Sequence, residues 1–267
     1  MKFLQNKLLL IGSGKWPEKI ESVIASQDVS IDIARIPTRE FLHLDSRSVR
    51  RLLDDRLVWI ATIPRIQIQI LYSLKEFENK VIIEKPFALN LSELDSILAY
   101  SRSSKNQLYV SEPWRHSHKW EIKKLEIEAT SGDKKLLINR GGPATREYIT
   151  PVWDWLQHDI GLLSELLSSS RNSIDIFCEL NSDQRKLRIK LKTDDFCAIE
   201  LNVGFFPQRV ETWHLNDELL IDFALANTPI DHPLYNMFRF VSDENFISEL
   251  ESQIWLLSRV IKCLERD

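Results

Sequence analysis

The chain has 267 residues, 43% of them apolar and 28% charged, with 35 basic and 39 acidic side chains and a net charge of −4. This is the composition of an ordinary globular protein with room for one large domain or two smaller ones, and it excludes a disordered or fibrous chain. No block of like charge stands out, so no nucleic-acid partner held through phosphates is expected. Cys178, Cys197 and Cys263 are widely spaced and form no Cys-x-x-Cys pair, which points away from a disulfide framework or zinc knuckle and towards a reducing compartment. The first apolar run, Leu8 to Ile11, is too short for a signal core or a membrane span. The expected location is therefore the cytoplasm, with no membrane partner.

Lys7 to Ile11 reads as a short buried strand, followed at once by Gly12-Ser13-Gly14-Lys15-Trp16-Pro17. Pro17 suits the first turn of a helix, and Ile20, Val23 and Ile24 repeat at helical spacing. Val29 to Ile33 then reads as a second strand, completing a β-α-β unit. Glycines between a strand and a helix let the backbone approach a pyrophosphate, and the helix start offers free N–H groups and a partial positive charge. A plain tight turn would use the same residues, and Pro17 replaces the third glycine of the dinucleotide fingerprint. The second strand's end is where a ribose-reading residue is expected. There Arg35, Thr38 and Arg39 form a set suited to a 2′-phosphate, so NADP is favoured over NAD, against the plainer reading of a solvated basic loop.

Ser46 to Arg56 reads as a helix, Leu57 to Thr62 as a third strand ending at Pro64, residues 65–77 as a helix and Val81 to Glu84 as a fourth strand. Ser92 opens a further helix with Glu93 and Asp95 in its first turn, and Gln107 to Val110 is a fifth strand. Strands alternating with amphipathic helices imply a parallel, doubly wound sheet. Past Trp114-Arg115-His116 the rhythm changes. Ile122 to Ala129, Lys135 to Asn139, Ile174 to Leu180, Leu187 to Lys192, Cys197 to Gly204, Arg209 to Leu215 and Glu218 to Phe223 read as strands, with one strong helix from Asp154 to Ser169 and a closing helix from Phe246 to Leu264. The expected architecture is α/β: a parallel-sheet domain over 1–115, then an α+β domain over 116–267 with a mostly antiparallel sheet. The open face of that second sheet is the expected homo-oligomer surface.

Two short stretches carry reactive side chains. In Glu84-Lys85-Pro86 the proline biases Lys85 away from helix, leaving an ammonium that can meet a cofactor or the oxygen of a reacting alcohol or carbonyl. A strand-end lysine in an exposed turn is the plainer account. In Asp154-Trp155-Leu156-Gln157-His158 a helix places the carboxylate and imidazole on one face, and histidine titrates near neutrality; an aspartate cap with a surface histidine is the alternative. Trp114, Arg115 and Trp155 are candidates for substrate contact, with Trp153, Trp213, Tyr148 and Arg209 further off.

In order, Gly12-x-Gly14-x-Trp16 after the first strand, Glu84-Lys85-Pro86 after the fourth and Asp154-x-x-x-His158 on a later helix resemble the glucose-fructose oxidoreductase, inositol dehydrogenase and MocA family over nearly the whole chain. The resemblance implies a Rossmann domain followed by a substrate domain. It implies NAD or NADP at the glycine turn, against Gly12, Ser13, Gly14, Lys15, Trp16, Thr62, Pro64, Glu84 and Lys85, and a catalytic group of Lys85, Asp154 and His158. The implied reaction is hydride transfer between nicotinamide and a sugar, cyclitol or related small molecule, with His158 exchanging the hydroxyl proton, Asp154 orienting it and Lys85 polarising the oxygen. Reduction of a non-sugar C=N or C=C bond and a non-catalytic dinucleotide sensor stay open beside it. No metal is implied, although Glu112, His116 and His118 are near one another in sequence. The chain departs from the family in its shorter length, in Gln67 where a histidine or asparagine is usual, in Leu156 at a glycine position, and in a strand expected soon after Trp114 where the family has a helix.

Overall fold

Leu8, Leu9, Leu10 and Ile11 are all fully buried, as residues on both faces of a strand are when helices cover the two sides of a parallel sheet. They lie in β1 (Lys7–Ile11) of a computed structural model that describes residues 6–28, 30–144, 149–167, 174–181, 183, 185–223, 232–243 and 250–265. The chain divides into two compact units, one of Met1–His116 with His232–Glu251 and one of Ser117–Asp231 with Ser252–Asp267. In the first, β1 is followed by α1 (Lys15–Gln27), β2 (Asp32–Ile36), α2 (Thr38–Phe41), α3 (Ser46–Leu53), β3 (Leu57–Ile60), α4 (Pro64–Leu74), β4 (Lys80–Ile83), α5 (Leu91–Ser103) and β5 (Gln107–Val110). The strands form a parallel sheet in the order β2-β1-β3-β4-β5. Chain order reverses at β1, between β2 and β3, and in such sheets ligands bind beyond the strand ends at that switch point. Helix starts follow local chemistry: Asp45 accepts from Ser48 N–H at 2.7 Å to cap α3. At α5 Asn90 accepts from Glu93 N–H at 2.9 Å while the Glu93 carboxylate accepts from Leu89 N–H at 2.7 Å, a reciprocal cap.

The second unit holds α6 (His118–Ala129), β6 (Lys135–Gly142), a π-helical turn at Val152–Leu156, α7 (Gln157–Leu166), β7 (Asp175–Leu180), β8 (Lys186–Lys192), β9 (Ala198–Phe205), β10 (Val210–Leu215) and β11 (Glu218–Asp222). Its sheet order is β11-β10-β6-β9-β8-β7. Every neighbouring pair is antiparallel except β6 and β9, which run parallel.

After this sheet the chain forms α8 (Pro233–Ser242) and α9 (Leu250–Leu264). Leu234, Met237, Phe238 and Val241 of α8 join one core cluster with Leu8, Leu10, Ile20, Ile24, Trp59 and Ile82. Residues 233–242 fall within the expected 116–267 domain; in the structure they form α8 and pack in the first unit, because a stripe of apolar residues at helical spacing fits against β1 and α1. Along α9, the Arg259 guanidinium donates to Ile174 C=O at 2.8 Å in the second unit. Among the described residues no helix is long and apolar enough to cross a membrane.

Three local expectations are corrected. Residues 122–129, expected as a strand, lie in α6. Their apolar residues alternate in part, but Ser117 caps the helix by accepting from Trp120 N–H at 3.1 Å, and Lys123 pairs with Glu126 at 2.6 Å and Lys124 with Glu128 at 3.9 Å, one turn apart. These contacts form only in a helix. The second strand runs from Asp32 to Ile36 rather than from Val29 to Ile33, since Lys7 to Ile11 pair with those five residues in register; Val29 itself is outside the described residues. The helix expected from Asp154 begins earlier, with a π turn from Val152; residues 168 and 169, and Phe246 at the start of the closing helix, are outside the described residues. Met237→Ala is expected to destabilise the chain by about 2–5 kcal/mol in urea unfolding, the cost of a large apolar side chain lost from a core; a cost under about 1 kcal/mol would mean that α8 does not belong to it.

Candidate functional site

The β1–α1 turn admits little but glycine at its first position. A Cβ at Gly12 would stand 2.4 Å from the Ala61 carbonyl oxygen and 2.8 Å from Pro17 Cγ, so the end of β3 presses directly on the turn. Gly14, at φ +95°, is the residue before α1 and caps it with no side chain. The first N–H groups of this 13-residue helix are therefore not taken up by a side-chain cap, and they open beside exposed Ser13, Lys15 and Trp16. That is the arrangement in which helix starts hold anions. Thr62 and Pro64 flank the exposed Ile63 at the end of β3, where Pro64 opens α4.

At the end of β2 the three expected phosphate contacts lie on two elements. Arg35 lies within the strand, and its guanidinium stands 3.3 Å from the Glu21 and 3.8 Å from the Glu18 carboxylate of α1. Thr38 and Arg39 begin α2, just beyond Pro37.

The end of β4 is tied down by side chains. Gln67 of α4, fully buried, accepts from Glu84 N–H at 2.7 Å and donates to the carbonyls of Glu84 at 2.9 Å and Pro86 at 3.3 Å. The Glu84 carboxyl, 7% exposed, accepts from the Trp59 indole N–H at 2.8 Å. Burial pushes this carboxyl above the usual glutamate value, against the pull of the Trp59, Ser111 and Trp16 side chains and of the Lys85 charge. Trp16 of the glycine turn and Glu84 of the β4 end are thus neighbours, and Lys85 follows from a backbone held on both sides.

In the second unit Asp154 and Trp155 lie in the π turn and His158 in the first turn of α7, all three partly buried. The Trp155 ring covers Gly142, where a Cβ would come within 3.0 Å of it, and its centre is 6.0 Å from that of His158. The Trp155 indole N–H is buried with no hydrogen-bond partner among the described residues.

Next to His158 is a cluster that sequence reasoning missed. Asp159 is fully buried and accepts from Arg140 Nε at 2.8 Å, from Arg140 Nη2 at 2.7 Å and from the Trp213 indole N–H at 2.9 Å. Arg140 also lies 3.0 Å from Glu211, its directly opposed neighbour on β10, and Glu211 accepts from Arg209 at 2.7 Å. Burial works against the Arg140 cation, yet Asp159 and Glu211 hold its pKa above the ordinary arginine value. The signal was in β6: Leu136, Ile138 and Arg140 alternate in the buried phase, so the arginine had to enter the core with a partner.

Trp114 and Arg115 follow β5 in a short 3-10 turn, where Arg115 lies 3.8 Å from Glu112. His116 contacts the Tyr109 hydroxyl at 2.5 Å and packs on Phe240 with ring centres 4.6 Å apart; burial, then the Arg115 charge, depress its pKa to about 3. Tyr148 is outside the described residues. The candidates therefore fall into two sets: the glycine turn, the β2, β3 and β4 ends, Lys85, Trp114 and Arg115 in the first unit, and Asp154, Trp155 and His158 in the second.

Glu84 makes a pH-dependent prediction. Its folded pKa is raised above the ordinary 4.5, so its favourable contribution is complete below that value and is lost as pH rises through the folded pKa. The stability of Glu84→Gln relative to wild type, measured by urea unfolding from pH 4 upwards, should increase with pH. A constant difference would refute the raised pKa.

No family model matches the sequence, and no curated protein matches it. Among solved structures the whole chain is similar to UDP-N-acetylglucosamine 3-dehydrogenase GnnA from Acidithiobacillus ferrooxidans, with TM-score 0.68 and 13% identity over 96% of each chain. It is similar to the WlbA dehydrogenase from Thermus thermophilus in complex with NAD and alpha-ketoglutarate, with TM-score 0.68 and 11% identity over 94% of this chain and 92% of that one. Biliverdin reductase from Synechocystis in complex with biliverdin and NADP+ gives TM-score 0.64 and 13% identity over 98% of each chain. The chain therefore has the fold of these structures, a parallel dinucleotide-type sheet followed by a mostly antiparallel one.

Proposed function

We propose that the protein is an NAD(P)-dependent oxidoreductase of the glucose-fructose oxidoreductase, inositol dehydrogenase and MocA type. The observation that carries this is the start of α1, where Gly12 is forced against Ala61 and Gly14 leaves the helix without a side-chain cap, at the switch point of the parallel sheet. Those features fit a pyrophosphate. A nicotinamide dinucleotide, when bound, supplies hydride exchange at its C4 position. Lys85 donates a hydrogen bond to the substrate oxygen and stabilises negative charge on it; His158 takes the hydroxyl proton in oxidation and returns it in reduction; Asp154 orients the imidazole. Trp155, with a buried indole N–H to offer, together with Trp114 and Arg115, contacts the substrate.

The substrate class is a sugar, cyclitol or related small molecule, which the dehydrogenases of similar fold support. A second reading, reduction of a non-sugar double bond, is supported by the biliverdin reductase of the same fold. A pure dinucleotide sensor has less use for Lys85, Asp154 and His158 together. For the cofactor we favour NADP, on Thr38 and Arg39 at the end of β2; Arg35 contributes only by exchanging its contacts with Glu18 and Glu21 for phosphate.

Titrating NADPH and NADH against tryptophan fluorescence tests the reading. Binding is expected, and Gly12→Ala should abolish it because the added methyl collides with Ala61; binding of neither cofactor overturns both the enzyme and the sensor. Arg39→Asp should weaken NADPH relative to NADH, and an equal effect on both removes the NADP preference. With a panel of sugars and cyclitols, Lys85→Ala and His158→Asn should keep cofactor binding but lose turnover about 10²-fold or more, as removal of proton-transfer groups does. We also infer a homo-oligomer through the second sheet, on which Phe177 and Leu219 are exposed. Light scattering should return a multiple of 31.3 kDa, and a monomer mass would remove this inference.

A further inference from the structure

We propose that Asp159 and Arg140 are positioning residues for His158, an inference that rests on His158 being the proton-exchanging group. Asp159, Arg140, Glu211 and Trp213 come from three elements, α7, β6 and β10, and all are at most 1% exposed. A buried ion pair is poor at adding stability, because desolvating two charges offsets their attraction, and apolar side chains of like volume do as well. What a guanidinium–carboxylate fork adds is direction, since both groups are planar and meet in one arrangement. Here the carboxylate plane is set by three donors: Oδ1 accepts from Arg140 Nη2 and Trp213 Nε1, and Oδ2 from Arg140 Nε. Both donor side chains rise from strands hydrogen-bonded to each other, so the carboxylate is referred to the sheet itself.

The helix that carries His158 needs such a reference. The π turn of Val152–Leu156 and the start of α7 have no side-chain cap, so contacts made further along, the burial of Leu156, Ile160 and Leu163 and the fork at Asp159, set how far the helix has turned about its axis. Asp159 follows His158 directly, about 100° further round a helix of 3.6 residues per turn. Anchoring Asp159 to the sheet therefore sets the direction in which the His158 side chain leaves the helix, and that side chain stays partly exposed while its neighbour is fully buried. The remaining edge of Arg140 is held by Glu211, so the guanidinium cannot turn away from Asp159 without leaving a second carboxylate unmatched.

The test follows the imidazole rather than turnover, so it needs no substrate. In the 15N-labelled full chain the His158 ring resonances, assigned by their loss in His158→Asn, report tautomer and hydrogen bonding. Asp159→Asn removes the anionic half of the fork, and Arg140→Lys keeps the charge without the fork. In both variants, confirmed folded by circular dichroism, the His158 resonances are expected to shift away from their wild-type values. Glu211→Gln leaves the fork to Asp159 in place and should leave them unmoved. Should Asp159→Asn not fold, Arg140→Lys decides. A folded variant with the fork broken and His158 resonances unchanged overturns the proposal and reduces the cluster to a structural role. NADPH titration separates this from the functional reading: resonances that shift in a protein binding neither NADPH nor NADH leave the anchor standing and remove its catalytic purpose, whereas cofactor binding with unmoved resonances removes the anchor alone.

Discussion

A glutamate buried at the end of β4 governs how the first unit presents Lys85. The β4 ladder stops at Ile83, and a strand end beyond its ladder is normally free to fray. Here the Gln67 amide reinforces the contact with β3, whose Ile60 C=O accepts from Glu84 N–H at 3.3 Å, by bonding both the N–H and the C=O of Glu84 and reaching Pro86. The carboxyl below is held by Trp59 from β3. Glu84 is thereby tied to two other elements of the sheet layer, and Lys85 follows with its backbone already placed. Burying the carboxyl carries a desolvation cost, which its raised pKa registers. Burial disfavours the charged form of such a group, and the Lys85 charge opposes that shift without reversing it.

The glycine turn depends on the same layer. Ala61, directly after β3, presses against Gly12, and Trp16 reaches the Glu84 carboxyl, so the glycine turn and the lysine-bearing strand end share a wall. Two features of one sheet edge, read separately from sequence, are in this sense a single construction. The β2 end is different: Arg35 is engaged with Glu18 and Glu21 on the surface. Exposed pairs of this kind are weak, and an anion of higher charge can displace them.

The second unit solves a different problem, that of fixing a helix whose first turn is wound wide. It uses charge inside an otherwise apolar layer, with Arg140 flanked by Asp159 and Glu211 and lying over the Phe223 ring at 5.2 Å. Trp213 packs edge-on against Trp120 with ring centres 5.1 Å apart, so the charged groups are walled by aromatic rings. Removing one partner of such a set leaves the other as an uncompensated buried charge, typically costing roughly 3–5 kcal/mol. That asymmetry keeps all the members together.

Much of this was legible in the sequence. Three of the parallel strands were, because each is a short apolar run cut off by glycine, proline or charge: Leu8 to Ile11 before Gly12, Leu57 to Ile60 before Pro64, Val81 to Ile83 before Glu84. So was the alternation of β8, where Leu187, Ile189 and Leu191 are buried between exposed lysines and an arginine. These signals are local and need no partner to be read. Residues 122–129 misled because their apolar spacing suits either period, and the deciding cap at Ser117 and the pairs one turn apart exist only once the helix forms. The register of β2, the return of α8 to the first unit, the clamp of Gln67 on Glu84 and the meeting of Arg140 with Asp159 join residues 17 to more than 200 positions apart. The sequence by itself determined most of the strands and helices and which residues are chemically able to react. Only the tertiary structure decided which buried polar groups satisfy one another, because a donor buried away from water takes whichever acceptor the packing of distant segments brings to it.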